Sequence, residues 1–258
     1  MDILITGGNG YIAKSIASRL KDDHIITSIN RQDLDLTNHQ SLSTWFKEKY
    51  FDVVIHTAIN GGSRLKQDDW SILDDNLKMY FNLINNKDHF KKFINLGSGA
   101  ETYDKNSPYG LSKMVINQSI LDKDNFFNLR IFGVFDKNEL HTRFIKNNII
   151  RYINKEDLII HCDKKMDFIY MNDFIKIIQY YINNIICPKS LDCVYQEKFN
   201  LKRIADFINN LNSHKCKIKL ENLDKIDNYI GDGDLLKKLN LNLIGLEAAI
   251  KQTYELLK

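Results

Sequence analysis

Short apolar runs alternate with longer amphipathic stretches along the first half of the chain. Consecutive apolar residues predict strands, whereas apolar residues spaced three and four apart predict helices. Strands are predicted over 2–6, 24–29, 52–56, 92–96 and 128–132, and helices over 11–20, 38–49, 70–85 and 109–121. This alternation is typical of an α/β fold, a doubly wound parallel sheet with helices on both faces.

The second half of the chain keeps the alternation but uses shorter elements. Helices are predicted over 141–154 and 172–183 with a strand at 168–170, and then strands at 193–195 and 216–220 with helices over 201–211, 232–239 and 244–257. The shift after residue 187 indicates a small C-terminal α/β lobe rather than further strands of the first sheet. We therefore predict a first domain of residues 1–135, to which 166–186 return, and a lobe formed by 136–165 and 187–258.

Composition places the chain among ordinary folded proteins. Hydrophobic residues make up 43% of the 258 residues and charged residues 27%, which excludes disordered and disulfide-scaffold classes. The net charge of +3 predicts no broad surface for nucleic acid. The sequence has no run of 18 apolar residues and no leader pattern at its start, so we expect neither membrane insertion nor secretion.

The four cysteines show no metal-binding spacing. They lie among apolar neighbours, without a C-x-x-C pair, at Cys162, Cys187, Cys193 and Cys216. Reduced thiols fit this pattern better than disulfides or a zinc site. We therefore predict a cytoplasmic protein without a bound metal.

A glycine-rich turn joins the first predicted strand to the first predicted helix, with the sequence T-G-G-N-G-Y-I-A over 6–13. Gly7 allows a tight turn, and Gly10 lets the backbone approach a pyrophosphate. The N–H groups at the helix start, around Tyr11 and Ile12, favour bound phosphate. The alternative is a glycine-rich connection without a ligand, but the strand–loop–helix context favours a dinucleotide cofactor and a Rossmann-type fold.

The end of the second predicted strand bears on the identity of the dinucleotide. An acidic residue there accepts hydrogen bonds from the adenosine ribose of NAD, whereas a basic residue accommodates the 2′-phosphate of NADP. The strand ends in S-I-N-R, and the guanidinium of Arg31 can stack on adenine and pair with phosphate, so we favour NADP(H). Asp33 keeps NAD(H) open, and Arg31 could also be a solvated surface residue. Asp35 and Leu36 follow, where a carboxylate can accept the adenine amino group or begin a helix.

Tyr109 and Lys113 lie four residues apart at the start of a predicted helix, just after Pro108, and so share one face. A free tyrosine has a pKa of about 10, and a neighbouring ammonium group favours the phenolate. Tyr109 could therefore exchange a proton with a substrate oxygen, although most such pairs are a half-buried ring beside a solvated lysine. Ser98 changes the interpretation, because it follows the fourth strand at the sheet edge where ligands of open α/β folds bind.

In order and spacing, the glycine loop, Ser98, Tyr109 and Lys113 resemble those of the short-chain dehydrogenase/reductase superfamily. The resemblance is to its extended branch, the NAD-dependent epimerase/dehydratase family of nucleotide-sugar enzymes. The segment D-N-L at 75–77 is similar to the family's helix that carries an active-site asparagine. R-Q-D-L-D-L at the end of the second strand and A-I-N-G-G at 58–62 are most similar to GDP-fucose synthases and dTDP-dehydrorhamnose reductases, which are NADPH-dependent ketosugar reductases.

Two later segments match the family with one substitution each. The segment 129–135 is similar to L-R-x-x-N-V-Y-G, with Gly133 in place of the asparagine. The segment 166–173 is similar to R-D-F-I-Y-V-D-D, with Met166 in place of the arginine. The resemblance therefore extends over nearly the whole chain.

The resemblance implies a role for each matched residue. Tyr109 would be the general acid, Lys113 would bind the nicotinamide ribose and lower the tyrosine pKa, and Ser98 would hydrogen-bond the substrate oxygen. Asn76 would support a proton relay. The first domain would bind the dinucleotide, and the lobe would bind the substrate. The implied cofactor contacts are Gly7, Gly10, Tyr11, Ile12, Arg31, Asp35, Leu36, Ala58 and Lys113.

Further residues are candidates for binding a nucleotide-diphosphate sugar. Asn60 lies in the segment 60–64, which could reach phosphate or sugar or could be a flexible surface loop. His141 and Arg143 could contact the diphosphate, since a guanidinium pairs with phosphate through two hydrogen bonds, or could belong to a solvated helix start. His56, at the end of the third strand, is predicted to be a packed structural histidine rather than a catalytic one.

Departures from the family pattern bear on the reaction. The loop between Ser98 and the tyrosine is short, and aligning on Tyr103 instead would place Gly99 at the hydroxyl position. The cysteine that serves epimerisation in GDP-fucose synthase matches Ala100, which favours reduction alone. A dehydratase needs a pair of acid groups beside the hydroxyl, and the sequence offers only Glu101.

We therefore predict an NAD(P)H-dependent reductase of a nucleotide-linked 4-keto-6-deoxy sugar. The alternatives are a nucleotide-sugar epimerase with tightly bound NAD and a non-catalytic protein of the same fold that senses the cofactor. The resemblance also implies a homodimer through the helix that contains Tyr109. We expect neither nucleic acid nor a membrane as a partner.

Overall fold

The computed structural model describes residues 1–63, 66–224 and 227–258. The chain divides into two compact units, of which the first contains Met1–Arg130 and Ile178–Leu191 and the second contains Ile131–Ile177 and Asp192–Lys258. Within the described ranges, no helix is long and apolar enough to cross a membrane. Arg64, the last residue of the segment 60–64 considered for phosphate binding, lies outside the described residues.

The elements alternate along the chain as the sequence pattern predicts. In the first part they are β1 (Asp2–Thr6), α1 (Tyr11–Leu20), β2 (Ile25–Ile29), α2 (His39–Phe46), β3 (Phe51–His56), α3 (Ser71–Ile84), a 3₁₀ turn (Lys87–His89), β4 (Phe90–Ser98), α4 (Ala100–Tyr103), α5 (Pro108–Leu121) and β5 (Phe126–Ile131). They continue with β6 (Val134–Phe135), α6 (Phe144–Ile153), β7 (Leu158–Cys162), β8 (Ile169–Tyr170), α7 (Met171–Asn183), β9 (Ser190–Asp192), α8 (Leu201–Asn209), β10 (Ile218–Asn222), α9 (Asp234–Lys238) and α10 (Leu246–Leu257).

A six-stranded sheet lies at the centre of the first unit, in the strand order β2-β1-β3-β4-β5-β9. β1 pairs in parallel with both β2 and β3, and β3 pairs in parallel with β4. The chain passes from β1 to β2 on one side and returns to β3 on the other, so the strand order reverses beside β1. Ligands of open α/β sheets bind at such a reversal. The predicted Rossmann-type parallel sheet is confirmed.

The central strands are buried on both faces, which explains their continuous apolar sequences. Ile3, Leu4 and Ile5 of β1 have no exposed surface. Phe46 of α2 and Tyr80 of α3 are fully buried in the same core as Leu4. This packing fixes the carboxyl ends of β1, β3 and β4, where the candidate residues lie.

The second unit contains two short parallel sheets, one formed by β7 and β10 and the other by β6 and β8. Its core includes Tyr152 of α6, Ile204 of α8 and Ile250 of α10, all fully buried. The assignment of a cofactor domain and a substrate lobe to particular parts of the chain stays a prediction.

The edge of the central sheet differs from the sequence prediction. The strand predicted at 193–195 is wrong, because β9 lies at Ser190–Asp192 and is the sixth strand of the central sheet. The Asn128 N–H donates to the Lys189 carbonyl at 2.8 Å, which fixes this segment beside β5. A three-residue strand has no periodicity in sequence, so its position depends on such distant contacts. The pattern also missed α4, β6 and β7.

Lys92 is a buried lysine on β4. Its Nζ donates to the carbonyl oxygens of Tyr181, Ile182 and Asn184 at 2.5, 3.0 and 2.7 Å, at the C-terminal end of α7. The last carbonyls of a helix have no partner within the helix, so the ammonium group satisfies them and complements the helix dipole. Burial lowers the pKa of Lys92.

Replacing Lys92 by methionine is expected to lower the free energy of unfolding by about 2–4 kcal/mol, because buried carbonyl groups lose their donor. The matched control is Lys91→Met at the neighbouring position. Lys91 pairs with Asp52 on the surface, and losing such a pair costs less than about 1 kcal/mol. Urea unfolding followed by circular dichroism measures both values. Equal losses in the two variants would contradict the capping role of Lys92.

Candidate functional site

The glycine loop after β1 forms a tight cradle at the start of α1. Gly7 has φ +74°, and a Cβ atom there would lie 2.8 Å from the backbone N and Cα of Ala58. The Gly10 N–H donates to the Gly7 carbonyl at 2.9 Å, and Gly10 is the N-cap of α1. Among the described residues no side chain caps this helix end by a hydrogen bond, and its first turn, which begins with Tyr11 and Ile12, contains no acidic residue. The positive end of α1 therefore favours an anionic group at the loop.

A cavity of about 210 Å³ lies beside this loop, at the reversal of strand order. Its lining combines residues at and after the ends of β1, β2 and β3, both apolar and charged. Six of the predicted residues contribute to it: Gly7, Arg31, Asp35, Leu36, Ala58 and Asn60. An apolar cavity beside an uncapped helix start and a glycine cradle fits the adenosine and phosphates of a dinucleotide.

The charged residues after β2 point to the type of dinucleotide. Arg31 lines the cavity, its side chain is 72% exposed, and its guanidinium lies 3.9 Å from the Asp35 carboxylate. Asp33 instead turns back and accepts the Asn30 N–H at 2.9 Å. Hydrogen bonds from the Thr37 hydroxyl and N–H lower the pKa of Asp35. Of the charged side chains described at this cavity, the one without such a backbone hydrogen bond is Arg31, whose guanidinium suits the 2′-phosphate of NADP.

Tyr109 and Lys113 lie in the first turns of α5. The helix begins at Pro108 behind Ser107, whose hydroxyl accepts the Gly110 N–H at 3.0 Å. Lys113 is buried, its Nζ lies 6.0 Å from the centre of the Tyr109 ring, and it donates to the Leu96 carbonyl on β4. Burial lowers the pKa of Lys113 to about 8, and the charge of Glu101 acts in the opposite direction.

Ser98 is the last residue of β4 and is buried. Its hydroxyl oxygen accepts the Ala100 N–H at 3.2 Å. Its own N–H donates to the Glu101 carboxylate at 2.9 Å. The hydroxyl therefore keeps its proton to donate to another group.

Glu101 belongs to the site, and its structural role was not predicted from the sequence. Its carboxylate is buried and accepts hydrogen bonds from Ser98, Asn128 and Arg130, with the Arg130 Nε at 2.9 Å. Arg130 also donates to the Ser190 hydroxyl at 3.1 Å. The two-residue spacing of Asn128 and Arg130 on β5 places both on one face of the sheet, which is the signal that could have indicated a shared partner.

Asn76 links the strand-end loop to α5. Its Oδ1 accepts the Asn60 N–H at 2.8 Å, and its Nδ2 donates to the Asn60 carbonyl and to the Ser112 hydroxyl, both at 3.1 Å. Asn60 also donates to the Asp75 carboxylate at 2.9 Å. All polar atoms of the Asn76 amide are thus engaged within the protein. These contacts favour a positioning role, and its predicted part in a proton relay stays a prediction.

A sequence model of the NAD dependent epimerase/dehydratase family matches residues 3–191. The matched range includes the glycine loop, Ser98, Tyr109 and Lys113. The chain belongs to this family. The resemblance predicted from the motifs is therefore confirmed.

The individual relatives share low sequence identity with this chain. CDP-abequose synthase of Yersinia pseudotuberculosis is 26% identical over 251 residues, which cover 84% of this chain and 87% of that protein. MlghC, described as a GDP-mannoheptose C4 reductase from Campylobacter jejuni with NADP bound, has a TM-score of 0.81 at 16% identity, covering 99% and 97% of the two chains. A GDP-L-fucose synthetase from Naegleria fowleri bound to NADP has a TM-score of 0.76 at 18% identity, covering 98% and 91%. The structural likenesses show the fold.

His56 of this family member is buried at the end of β3. Its Nδ1 lies 2.8 Å from the Thr6 hydroxyl, and its ring packs 5.8 Å from that of Phe93. Burial lowers the pKa of His56 to about 3, and the neighbouring charge of Lys113 acts in the same direction. A neutral, packed ring fits the structural role predicted for this histidine.

The free energy of unfolding is expected to fall as the pH drops from about 6.5 toward 3. The folded state keeps His56 neutral, whereas the unfolded chain binds a proton below the ordinary histidine pKa. This one group contributes a slope of up to about 1.4 kcal/mol per pH unit. His56→Asn retains an atom to bond Thr6 but cannot bind the proton. Between pH 4 and pH 6, its free energy of unfolding, measured with urea, should depend less steeply on pH than that of the wild type. Identical slopes would contradict this assignment.

The two residues predicted to contact the substrate diphosphate lie in the second unit of the protein. His141 and Arg143 are both exposed, and Arg143 is the N-cap residue of α6. The Asn147 side chain donates to the His141 carbonyl at 3.1 Å. Their contact with a substrate diphosphate stays a prediction.

Proposed function

We propose that this protein is an NADPH-dependent reductase that acts on the keto group of a nucleotide-linked sugar. The observation that carries the proposal is the buried Lys113 ammonium group beside the Tyr109 ring, next to the end of β4 that carries Ser98. A half-buried phenol with a positive charge one helical turn away is suited to give a proton to a carbonyl oxygen. The names of CDP-abequose synthase and of the GDP-mannoheptose C4 reductase support a nucleotide-sugar substrate.

The cradle and cavity after β1 support NADP(H) as the cofactor, with NAD(H) as the alternative. When bound, NADPH supplies the hydride that reduces the carbon atom. Gly7 and Gly10 would admit the pyrophosphate, and Arg31 would pair with the 2′-phosphate. Asp35, Leu36 and Ala58 would surround the adenosine, and Lys113 would contact the nicotinamide ribose.

The proton is supplied by the chain's own residues. Tyr109 gives its phenolic proton to the carbonyl oxygen as the alcohol forms. Ser98 donates its O–H to the same oxygen, because its oxygen already accepts the Ala100 N–H. The charge of Lys113 stabilises the phenolate that Tyr109 leaves, and this preorganised charge lowers the barrier.

The surroundings of Ser98 favour reduction over dehydration. Glu101 is the only acid in the turn that follows Ser98, and it is committed to Arg130 and to the Ser98 N–H. A carboxylate held by an ion pair and buried hydrogen bonds is a poor proton donor or acceptor for a substrate. Ala100 offers no thiol for a second acid–base group.

The test is NADPH oxidation, followed by absorbance, with a panel of 4-keto-6-deoxy nucleotide sugars. Turnover that consumes NADPH in proportion to the sugar supports the reductase. Protein that purifies with NAD and interconverts sugars without net oxidation would instead be an epimerase. Protein that binds NADPH but turns over no sugar would be a cofactor sensor. Either of these last results overturns the proposal.

Replacing Arg31 by alanine is expected to raise the KM for NADPH about tenfold and to change the KM for NADH much less. The guanidinium is largely exposed, so its phosphate contact is worth about 1.4 kcal/mol, near the low end for a hydrogen bond to a charged group. Arg19→Ala, at the far end of α1, is the control with the same loss of charge. Equal changes in both KM values would contradict a 2′-phosphate contact.

Three further expectations belong to the same proposal. Asn60, His141 and Arg143 would bind the diphosphate or sugar of the substrate. A homodimer and a cytoplasmic location are expected for the protein. Size-exclusion chromatography with light scattering measures whether the protein is a dimer, and cell fractionation measures where it is located.

A further inference from the structure

The residues that follow β3 form a short strap of Asn60, Gly61 and Gly62, here called the glycine strap. One end is held by Asn76, whose amide bonds both the N–H and the carbonyl of Asn60. The other end is held by Asp68, whose carboxylate accepts the Gly62 N–H at 2.8 Å. The strap is therefore fixed at both ends by side chains from elsewhere in the first unit.

Gly62 lies directly against the ring of Tyr109. A Cβ atom on Gly62 would lie 2.8 Å from Cε2, 2.9 Å from Cζ and 3.1 Å from Cδ2 of that ring. Real Cβ contacts are longer, so only a glycine allows the strap to approach the phenol this closely. Gly62 also has φ +71°, a conformation that glycine adopts without penalty.

The strap and the helix that carries Tyr109 share one anchor. The same Asn76 amide that holds Asn60 donates to the Ser112 hydroxyl at 3.1 Å. Ser112 in turn donates to the Tyr109 carbonyl at 2.7 Å. The backbone of Tyr109 and the strap over its ring are thus tied to a common side chain on α3.

We propose that the glycine strap positions the Tyr109 ring for proton transfer and that Gly62 is the position on which this depends. The inference rests on the proposed function, since it concerns the proton donor of that reaction. The second side-chain torsion of tyrosine is broad, so the ring direction must be set by what packs on its faces. A misplacement of about 1 Å costs on the order of 100-fold in rate.

The test compares Gly62→Ala with Gly245→Ala. Both variants place alanine at a position of positive φ, at a cost on the order of 1–3 kcal/mol, but a Cβ at position 245, in the second unit, would meet no other atom of the described residues within 4 Å. Gly62→Ala is expected to lower kcat by about 10–100-fold with the KM for NADPH nearly unchanged. Its solvent deuterium isotope effect on kcat should rise, because proton transfer becomes slower. Gly245→Ala should keep most of kcat.

A second measurement is independent of turnover. The protein is labelled with ¹³C at the ζ carbon of tyrosine, and the Tyr109 signal is assigned by its loss in Tyr109→Phe. In the wild type the Tyr109 signal should change as the pH passes about 8, where the Lys113 ammonium group, 6.0 Å from the ring centre, loses its proton, and in Gly62→Ala this change should be smaller because the ring is displaced from Lys113. The charged and titratable side chains near this point also include His56 on β3, Glu101 on α4 and Asp68 at the end of the strap, and the substitution retains all three. The Gly245→Ala titration should match the wild type.

The outcomes separate the two proposals. A wild-type protein that reduces no ketosugar removes the proposed function, and the ¹³C titration still decides whether the strap positions the ring. An unchanged titration in Gly62→Ala, or equal losses of kcat in the two glycine variants, overturns the strap proposal. Should Gly62→Ala not fold, Asp68→Ala releases the Gly62 N–H, and the same smaller change of the Tyr109 signal near pH 8 supports the proposal while an unchanged response overturns it.

Discussion

Replacing Tyr109 by phenylalanine is expected to lower kcat for ketosugar reduction by about 10²–10⁴-fold. The substitution removes only the phenolic O–H, so the ring still packs against Gly62 and still faces the Lys113 ammonium group, 6.0 Å from its centre. NADPH binding should be little changed, because the cradle of α1 is not altered. Steady-state NADPH oxidation gives kcat, and fluorescence titration of NADPH gives the Kd.

The control for this prediction is Tyr50→Phe, which removes the same atom from a side chain on the surface. It should leave kcat unchanged. A kcat of Tyr109→Phe close to that of Tyr50→Phe would contradict Tyr109 as the proton donor.

The wild-type pH profile provides an independent check on the same pair. Because burial lowers the pKa of Lys113 to about 8, kcat/KM should decline above that pH as the ammonium group loses its proton. The charge that stabilises the Tyr109 phenolate is then lost. A profile that stays flat well above this pH would contradict a role for the charged form of Lys113.

Replacing Glu101 by alanine is expected to lower the free energy of unfolding by about 3 kcal/mol. The Glu101 side chain is 2% exposed, and its loss would remove the carboxylate that balances the charge of the Arg130 guanidinium, itself 18% exposed. The Ser98 N–H would also lose its acceptor, so kcat should fall together with stability. Urea unfolding and NADPH oxidation measure the two effects.

The matched variants separate charge from shape. Glu101→Gln keeps an acceptor for Ser98 but removes the charge, so it should lie between wild type and Glu101→Ala. The double variant Glu101→Gln with Arg130→Met should be less destabilised than the sum of the single changes, because no uncompensated charge remains. Additive losses would show that the two side chains do not act as a buried pair.

The features predicted from sequence are those set by local patterns. The turn at Gly7 and Gly10 lies between a strand and a helix that can each be predicted from their local sequence. The spacing of Tyr109 and Lys113 corresponds to one helical turn. Their placement in the fold was therefore predictable. The bounds of β4 were predicted too short, since the strand continues from Phe90 to Ser98 through residues whose burial depends on neighbouring strands.

The features that sequence reasoning missed are bonds between residues distant along the chain. In the sequence, Lys92 follows Lys91 and resembles a second surface lysine. Its burial is explained by its contact with the end of α7. Glu101 reads as a candidate acid, whereas its partners on β5 make it a support for Ser98. No periodicity reports such pairs, because each partner's local sequence is compatible with several environments.

The sixth strand has a consequence for how the protein is made. β9 is the edge strand of the sheet in the described part of the chain, and it joins the sheet only after nearly 60 residues of intervening chain. A polypeptide cut after Ile131 would therefore leave β5 as a bare edge with unpaired backbone groups, ready to pair with another copy. During synthesis the same edge stays uncovered until Asp192 has left the ribosome, so this interval is when self-association in the cell should be greatest.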